Sequence, residues 1–358
     1  MFLLIGQGLA GSLLAEALLR RGERVRIVGD ARPSSSGVAA GLFNPVTGRK
    51  PQKTWLADDL FPYLHRFYPD LETRLGATFF YPTPLYRPFG SAAEREAGLA
   101  FAVQPELSDF LCPSPNDDVY SPAVRNEYGG LLTLRAGWVD VPALLLAFRR
   151  HFETLGIFEE TAFDPADLYI GDKALTWRNL QLEQLVFCEG VYATENPYFG
   201  WLPFNPVKGE TITVKPNGTP PLPGIVNRGV WGIPKADGTL RVGATYVWPK
   251  PGFPLDWVTT TEGREFLEEK LRGWLKPEYT VLEQAAGIRP AVQGRRPLLG
   301  RHPEYHRLSI FNGLGSKGVS LAPFFADQLA EHLVSGKELD EAVNISRFFS
   351  LYSGRKKG

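Results

Sequence analysis

The sequence predicts an α/β fold with a parallel sheet at the amino terminus and a second, α+β unit built on an antiparallel sheet. An apolar strand, a glycine-rich turn, an amphipathic helix and another apolar strand follow one another over residues 2–28. A second glycine-rich turn precedes a helix at residues 313–333, and alternating segments at 211–214 and 240–247 are typical of half-buried antiparallel strands. These three observations together predict the α/β class.

Length and composition limit the kind of protein. The chain has 358 residues, and 39 Lys and Arg balance 39 Asp and Glu. This length is enough for roughly two or three folding units. Hydrophobic residues make up 44% and charged residues 22%, which excludes a disordered chain. The balanced charge argues against bulk nucleic-acid binding, and two cysteines, Cys112 and Cys188, cannot form a disulfide framework or a Cys-based zinc site.

The amino terminus is apolar but does not have the pattern of a leader. Residues 2–19 lack a preceding basic region, and glycines and Glu16 interrupt the run. No later stretch reaches the ~18–20 uninterrupted apolar residues that cross a bilayer. We therefore expect a cytoplasmic protein with no membrane span and nothing cleaved from its start.

The first elements form a βαβ unit. Residues 2–5 suit a buried strand, and helical spacing of apolar residues runs from Leu9 to a basic end followed by Gly22, before a second strand at 25–28. The turn between them carries Gly6, Gly8 and Gly11. This spacing permits a tight turn, the approach of a pyrophosphate to the backbone and close packing of the helix on the strand. It predicts dinucleotide binding, although the same glycines alone would also suit a flexible loop.

The end of the second strand supplies the next candidates. Asp30 stands one residue beyond the usual position of a ribose-binding acid, and it is either that acid or a plain loop carboxylate. Residues 34–45 are a run of mostly small side chains, which taken alone indicate a flexible loop. Small side chains also suit a backbone that lies close to a long planar ligand.

With the glycine turn, this segment resembles the amino-acid-oxidase superfamily of FAD enzymes, which includes glycine oxidase, sarcosine oxidase, D-amino-acid dehydrogenase and the oxidase half of the bifunctional enzyme that matures wobble uridines in tRNA. Members carry a Ser/Thr-rich segment ending in Ala-Ala-Gly that contacts the FAD diphosphate and isoalloxazine. The resemblance implies FAD, bound noncovalently because no cysteine or histidine stands where some relatives attach it. It implies cofactor contacts at Gly6, Gly8, Leu9, Ala10, Gly11, Asp30, Ser35, Ser36, Ala40, Gly41 and Leu42.

Further motifs of the same family follow in order. Residues 136–140 resemble its entry into a helix, predicted here from Val141 to His151, and residues 185–190 resemble a late strand that ends near FAD at Gly190. Residues 206–210 resemble a strand start of the family. Residues 231–245 resemble one of its hairpins.

The carboxyl-terminal motifs are the most specific. Residues 286–290, 296–300 and 312–323 match the family's "A-G-L-R-P", "P-x-I-G" and glycine-rich loop at comparable distances. A helix N-terminus carries roughly half a positive charge, so the predicted helix from about Leu321 to Leu333 would stabilise the negative charge of a reduced flavin. The plain alternative is a surface turn before a packed helix. The resemblance implies cofactor contacts at Gly313, Gly315, Ser316, Lys317, Gly318, Val319 and Ser320.

Arg289, Trp231 and a lysine are the candidates for the chemistry. Arg289 lies in the motif whose arginine binds the substrate carboxylate in the family, and a guanidinium forks two hydrogen bonds to a carboxylate. A structural ion pair is the alternative for Arg289, and a core position is the alternative for Trp231, which falls where the family has a pocket aromatic. Relatives often use a lysine near flavin N5 for the reaction with oxygen. The candidates here are Lys50, Lys53, Lys208, Lys235 and Lys317.

Two departures from the family concern charge. Residues 293–296 (Gln-Gly-Arg-Arg) stand where relatives often have an acid, and these arginines either favour a more anionic substrate or face solvent. Ser316 replaces an arginine of glycine oxidase, and the "G-S-K-G" of residues 315–318 is closer to the tRNA-modifying oxidase.

The resemblance implies a discontinuous Rossmann-type FAD-binding domain (residues 1–80, 136–200 and 280–358) and a substrate domain (residues 81–135 and 201–279). Three functions remain open. They are an FAD-dependent oxidase or dehydrogenase of a small amino acid or N-substituted glycine, a tRNA-modifying oxidase, and a nonenzymatic FAD-binding protein. The implied partners are an amine or amino-acid substrate, oxygen or another electron acceptor, no metal, and a second copy of the chain if it forms a homo-oligomer.

Overall fold

The computed structural model describes residues 1–48, 50–171, 174–218, 221–249 and 256–355. Its seven α-helices in these ranges are α1 (Leu9–Leu19), α2 (Ala57–Leu75), α3 (Ala92–Ala102), α4 (Val141–Thr154), α5 (Thr261–Arg272), α6 (Gly318–Ser335) and α7 (Phe349–Arg355). Among the described residues, none of these helices has both the length and the apolar composition needed to cross a membrane.

A six-stranded sheet organises the part of the fold that carries both chain ends. Its order is β11 (Phe158–Glu160), β2 (Val25–Gly29), β1 (Phe2–Ile5), β15 (Gln184–Phe187), β22 (Leu308–Asn312) and β21 (Leu298–Arg301). The strands are parallel except β21, which pairs antiparallel with β22. Because parallel strands are covered on both faces, β1 is apolar and buried throughout. The predicted βαβ unit is present, with its glycine turn at the carboxyl edge of the sheet.

An eight-stranded sheet forms the second part. Its order is β20 (Tyr279–Arg289), β16 (Val207–Pro216), β19 (Leu240–Gly243), β18 (Val230–Pro234), β17 (Ile225–Arg228), β7 (Leu85–Pro88), β9 (Gly130–Thr133) and β8 (Leu111–Pro113). All neighbouring pairs are antiparallel except β17 with β7. The structure therefore confirms the mixed α/β fold class.

Short strands complete the described ranges. They are β3 (Leu42–Phe43), β10 (Gly137–Val139) and β6 (Phe80–Pro82) in one sheet, β12 (Leu168–Ile170), β13 (Leu175–Trp177) and β14 (Leu180–Leu182) in another, and the pair β4 (Val46–Thr47) and β5 (Gln52–Lys53). The domain boundaries stay a prediction. The strand β20, which begins one residue before the boundary placed at 280, pairs with β16 in the eight-stranded sheet.

Buried side chains fill both faces of the six-stranded sheet and one face of the eight-stranded sheet, and a smaller buried cluster lies on the other face of the eight-stranded sheet. The helices α1, α2, α4 and α6 cover one face of the first sheet with a continuous apolar core that includes Leu14, Phe148 and Phe325. The helix α5 covers the second sheet through Leu267 and Leu271. The other face of the eight-stranded sheet is turned toward the six-stranded sheet and its connecting segments, and the candidate site lies between them.

Candidate functional site

The turn at residues 6–11 can be formed only with glycine at two positions. Gly6 has φ +103°, and a Cβ there would lie 2.6 Å from the carbonyl oxygen of Cys188. A Cβ on Gly11 would overlap the carbonyl oxygen of Gly6. These approaches bring the carboxyl ends of β1 and β15 and the start of α1 together, as predicted from the spacing.

The amino terminus of α1 offers free backbone donors. Gly8 is the N-cap and has no side chain to accept a hydrogen bond. Ser36 Oγ accepts from the Leu9 N–H at 3.2 Å. The N–H groups of Ala10 and Gly11 lie in the first turn, where no intrahelical carbonyl can reach them. A diphosphate fits this end, because the donors and the dipole of the helix both favour an anion.

The small-residue segment passes between the two sheets. A Cβ on Gly41, which has φ +70°, would overlap the Val139 carbonyl oxygen, and the Val139 N–H donates to the Gly41 carbonyl at 3.0 Å. Arg241 of β19 donates to the Val38 carbonyl at 2.6 Å. A Cβ on Gly287 of β20 would lie 2.5 Å from Val38 Cγ2. The segment predicted to contact the flavin therefore lies against the glycine-containing face of the eight-stranded sheet.

The second glycine-rich loop reaches the same place from the other end of the chain. The side-chain amide of Asn312 donates to the Gly190 carbonyl at 2.9 Å, and its oxygen accepts from the Gly313 N–H at 2.8 Å. The helix α6 begins at Gly318 without a side-chain cap, and a Cβ on Gly318 would lie 3.0 Å from Leu9 Cδ2. Two helix N-termini thus lie side by side, and both favour an anionic ligand.

One face of the eight-stranded sheet carries Arg289 and Trp231. Residues directly opposite in antiparallel strands share a face, and the register pairs Gly287 with Gly209, Thr211 with Gly243, and Gly243 with Trp231. Arg289 lies two residues beyond Gly287 and so points to the same side. On this face the Arg289 guanidinium lies over Gly209, the Trp231 ring lies over Gly243, and Val38 of the small-residue segment lies over Gly287.

Arg289 has no acidic partner among the residues that the structure describes. Its Nη1 donates long hydrogen bonds to the carbonyls of Lys208 (3.4 Å) and Thr245 (3.3 Å), and its guanidinium lies 4.2 Å from the centre of the Tyr246 ring. Burial lowers the pKa of Arg289, and it remains a cation because guanidinium pKa values are so high. The alternative of a structural ion pair finds no support in these ranges.

Trp231 is half-buried, and its ring lies across Gly243, since a Cβ there would be 2.5 Å from Trp231 Cζ2. The ring also packs beside Ala40 and Leu42 against a buried cluster that includes Trp138. Trp231 is therefore both a packing residue and part of the surface that faces the small-residue segment. Its two interpretations, as a core residue and as a pocket aromatic, are compatible.

The lysine candidates separate by position. Lys53 pairs with Asp58 at 2.6 Å, and Lys208 pairs with Asp256 at 2.6 Å from the face of the sheet that α5 covers. Lys235 lies 3.6 Å above the Trp138 ring and 3.3 Å from Asp140 Oδ2, and burial lowers its pKa despite that acid. Lys317 is the N-cap of α6. Lys235 thus lies over the ring that packs near Ala40 and Leu42, and Lys317 lies in the second glycine-rich loop. The role of each candidate, including Lys50, stays a prediction.

Asp30 follows β2 at the carboxyl edge, where a ribose-binding acid belongs, but its carboxylate is paired with Arg32. The Arg32 Nε lies 2.7 Å from Asp30 Oδ2, and the guanidinium lies 4.2 Å from the centre of the Tyr192 ring. Glu189, at the end of β15, is near the same group, and burial raises its pKa. Asp30 as a ribose ligand stays a prediction, and it requires exchange of the Arg32 pair.

Sequence reasoning missed two contacts at the site. Tyr246 covers the Arg289 guanidinium, and Arg241 and Val38 join the second sheet to the small-residue segment. The only signal for Tyr246 was an aromatic residue just after the "G-A-T" hairpin. Val38 and Arg241 lie in segments that the sequence analysis singled out, but nothing marks their contact, because it joins positions about 200 residues apart.

The fold and the site together define an FAD-dependent oxidoreductase. The family model described as DAO, FAD dependent oxidoreductase, matches residues 2–332, so the chain belongs to that family. Family membership excludes the nonenzymatic alternative, and FAD is the cofactor.

Individual relatives align with only part of this chain or with only part of their own length. Glycine oxidase of Bacillus subtilis is 32% identical over 142 residues, which cover 38% of this chain and 37% of that protein. Glycine oxidase of Bacillus licheniformis is 30% identical over 208 residues, 55% of this chain and 54% of that protein. The tRNA 5-methylaminomethyl-2-thiouridine biosynthesis bifunctional protein MnmC of Marinobacter nauticus is 25% identical over 362 residues, 92% of this chain and 55% of that protein. The matches thus span roughly half or less of these relatives.

Solved structures show the same fold over the whole length. Glycine oxidase from Bacillus cereus has a TM-score of 0.76 at 22% identity and covers 94% of this chain and 95% of its own. Iminodiacetate oxidase from Chelativorans has a TM-score of 0.76 at 21% identity, with 97% and 98% covered. At this identity, the likeness establishes the fold alone.

Proposed function

We propose that this enzyme oxidises the C–N bond of a small amino acid or an N-substituted glycine, and that Arg289 binds the substrate carboxylate. The observation that carries the proposal is a half-buried guanidinium without an acidic partner in the described ranges, on a glycine-lined sheet face that lies against the small-residue segment. A cation in this state has free donors for a bidentate carboxylate.

The residues present fit FAD. The start of α1 and Ser36 would hold the diphosphate, and Gly41 and Leu42 of the small-residue segment would contact the flat ring. The start of α6 at Gly318 would face the pyrimidine edge of the ring, where its partial positive charge stabilises negative charge. When bound, FAD supplies a two-electron acceptor that takes a hydride at N5.

The protein's own task is to position the substrate. Arg289 fixes the carboxylate, and the Trp231 ring over Gly243 limits the space on the same face of the sheet. The substrate amine must lose its proton before the α-hydrogen leaves as hydride, and the resulting imine is hydrolysed by water. Orientation of this kind accounts for a large part of catalysis when no nucleophile is required.

The experiment that tests the proposal begins with the purified holoenzyme. Denaturation should release FAD, and anaerobic mixing with glycine, sarcosine, proline and D-amino acids should bleach the flavin absorbance with at least one of them. The corresponding amines without a carboxylate are the matched controls and should bleach it much more slowly. Equal bleaching by an amino acid and its decarboxylated amine would contradict the proposal. The cytoplasmic location, the electron acceptor and a homo-oligomer stay predictions.

A tRNA-modifying oxidase is the second candidate. The match to MnmC extends over 92% of this chain, and Lys317 lies in a "G-S-K-G" loop close to the one expected for that class. The net charge of zero argues against it, because RNA binding is driven by phosphate contacts. An anticodon stem-loop bearing an N-carboxymethylaminomethyl uridine separates the two candidates. Bleaching by this RNA but by no free amino acid would favour the second.

A further inference from the structure

Three cations, Arg295, Arg296 and Lys317, form what we call the cationic rim. The two arginines end the loop that leaves β20 after Arg289, and Lys317 ends the second glycine-rich loop. These loops are in contact, since a Cβ on Gly313 would lie 3.3 Å from Val292 Cγ1 and a Cβ on Gly315 would lie 4.0 Å from Ala291. The loop that carries Arg295 and Arg296 therefore lies against the loop that carries Lys317, and their contact at Ala291 is two residues from Arg289.

The charges of the rim are not compensated by the residues that the structure describes. No ion pair joins Arg295, Arg296 or Lys317 to an acid within these ranges. Loss of hydration, Arg296 and Arg295 together lower the pKa of Lys317. Burial and then Arg296 lower the pKa of Arg347 to about 10, although Asp340 opposes the shift. Like charges held together repel, so an anion that binds among them removes an unfavourable interaction.

The rim is also held in place. The Arg296 guanidinium lies 4.1 Å from the centre of the Trp55 ring, which stacks on Phe325 at 5.6 Å. Arg347 donates to the Pro297 carbonyl at 2.8 Å and so fixes the end of the loop. Arg295 has φ +55°, a left-handed conformation that an L-residue adopts only when its surroundings hold it there. Arg296, held in this way, loses little entropy when it binds a ligand.

We propose that the cationic rim binds a second anionic group, a carboxylate or a phosphate, on the end of a small substrate opposite its reacting amine. This inference rests on the proposed function and narrows its substrate class to dianionic N-substituted glycines. Arg295 lies six positions after Arg289, so their Cα atoms are at most ~20 Å apart. A polynucleotide is disfavoured, because three local cations in a chain of net charge zero provide no extended phosphate track.

The test compares two substrates of equal size. N-(2-carboxyethyl)glycine carries the second carboxylate, and N-(2-carbamoylethyl)glycine replaces it with a neutral amide. In the wild-type holoenzyme, we expect kcat/KM to be about tenfold higher for the acid than for the amide, which corresponds to about 1.4 kcal/mol. The difference should lie in KM, because the rim binds the substrate away from its reacting amine. N-(2-phosphonoethyl)glycine is the phosphate arm and distinguishes the two anion sources. The preference should fall as salt is raised from roughly 0.01 M to 1 M, because the screening length falls from about 30 to 3 Å.

The variant Arg295→Gln/Arg296→Gln should reduce the ratio of acid to amide to about one, and Arg20→Gln/Arg24→Gln is the matched control. The control removes the same charge at the exposed carboxyl end of α1 and just before β2, at the opposite edge of the parallel sheet, and should keep the ratio. If the rim variant keeps the wild-type ratio, or if the wild type shows no preference while both compounds bleach the flavin, the inference is wrong.

Failure of the proposed function is a separate outcome. If no N-substituted glycine bleaches the flavin, the affinities of the acid and the amide are measured by calorimetry, and equal affinities overturn the inference without reference to turnover. Displacement of the acid by an RNA stem-loop, together with a ratio of one, would assign the rim to nucleic acid and would also overturn it.

Discussion

Removal of the Arg289 guanidinium tests the carboxylate site directly. In Arg289→Ala, a substrate carboxylate loses a forked pair of charged hydrogen bonds, each of which contributes about 1.5–3 kcal/mol. The existing bonds of Arg289 are long, at 3.3 and 3.4 Å to two carbonyls, so the guanidinium gives up little when it binds substrate. Two such bonds, each at the lower end of the range, contribute about 3 kcal/mol. A loss of about 3 kcal/mol weakens binding by at least ~100-fold.

The assay is an anaerobic titration of the oxidised enzyme with the best substrate, followed by the rate of flavin bleaching in a stopped-flow instrument. Arg289→Lys keeps the charge but not the fork, and should lose about tenfold. FAD content and the urea midpoint are the controls, because Arg289 also covers Tyr246 and Gly209. If Arg289→Ala retains full FAD content and binds the substrate with wild-type affinity, Arg289 is not the carboxylate ligand.

Three further predictions concern the cofactor and stability. Gly8→Ala has room in the apoprotein, since its Cβ would lie 3.4 Å from Ser36 Oγ, but the added methyl group fills the space for the diphosphate. We expect an unchanged circular dichroism spectrum and at least ~10-fold weaker FAD binding by fluorescence titration. Wild-type affinity for FAD would show that Gly8 is not part of the site. Burial raises the pKa of Glu189 in the folded protein. The stability that Glu189 contributes to the apoprotein is therefore fully present below its pKa in the unfolded chain, about 4.3, and is lost as the pH rises through its pKa in the folded protein. The free energy of unfolding in urea should therefore fall less between pH 4 and pH 8 in Glu189→Gln, and an identical slope would contradict this. Glu210 is 1% exposed and accepts three hydrogen bonds at 2.7–2.9 Å, so Glu210→Ala should lower the free energy of unfolding by about 3 kcal/mol. The control Glu262→Ala removes an exposed carboxylate and should change the free energy of unfolding by less than about 0.5 kcal/mol. A Glu210 variant as stable as the Glu262 control would refute this.

The first βαβ unit was predictable almost residue by residue. The helix expected from Leu9 spans Leu9–Leu19, and the strand expected at 25–28 spans Val25–Gly29. Local sequence decides these elements, because apolar periodicity and glycine conformation act over a few residues. The helix expected at Leu321 begins at Gly318, three residues earlier, because the glycine-rich loop itself enters the first turn.

The surroundings of Arg289 were not predictable in the same way. Its motif marks it as a candidate, but whether an acid neutralises it depends on which strands lie beside β20. The register of β16 and β19 places Gly209 beneath the guanidinium and Tyr246 over it, and no acid in the described ranges comes near. Such pairings join residues 40 to 80 positions apart, where local propensity carries no information.

The amino-acid sequence by itself determined the class of fold, the glycines at which two backbone segments approach closely, and the arginine and lysine residues that are candidates for substrate binding. Only the tertiary structure decided which of those cations lie together and which have acidic partners. The physical reason is range: backbone conformation is set by neighbours along the chain, whereas the state of a charge depends on every group that packing brings near it.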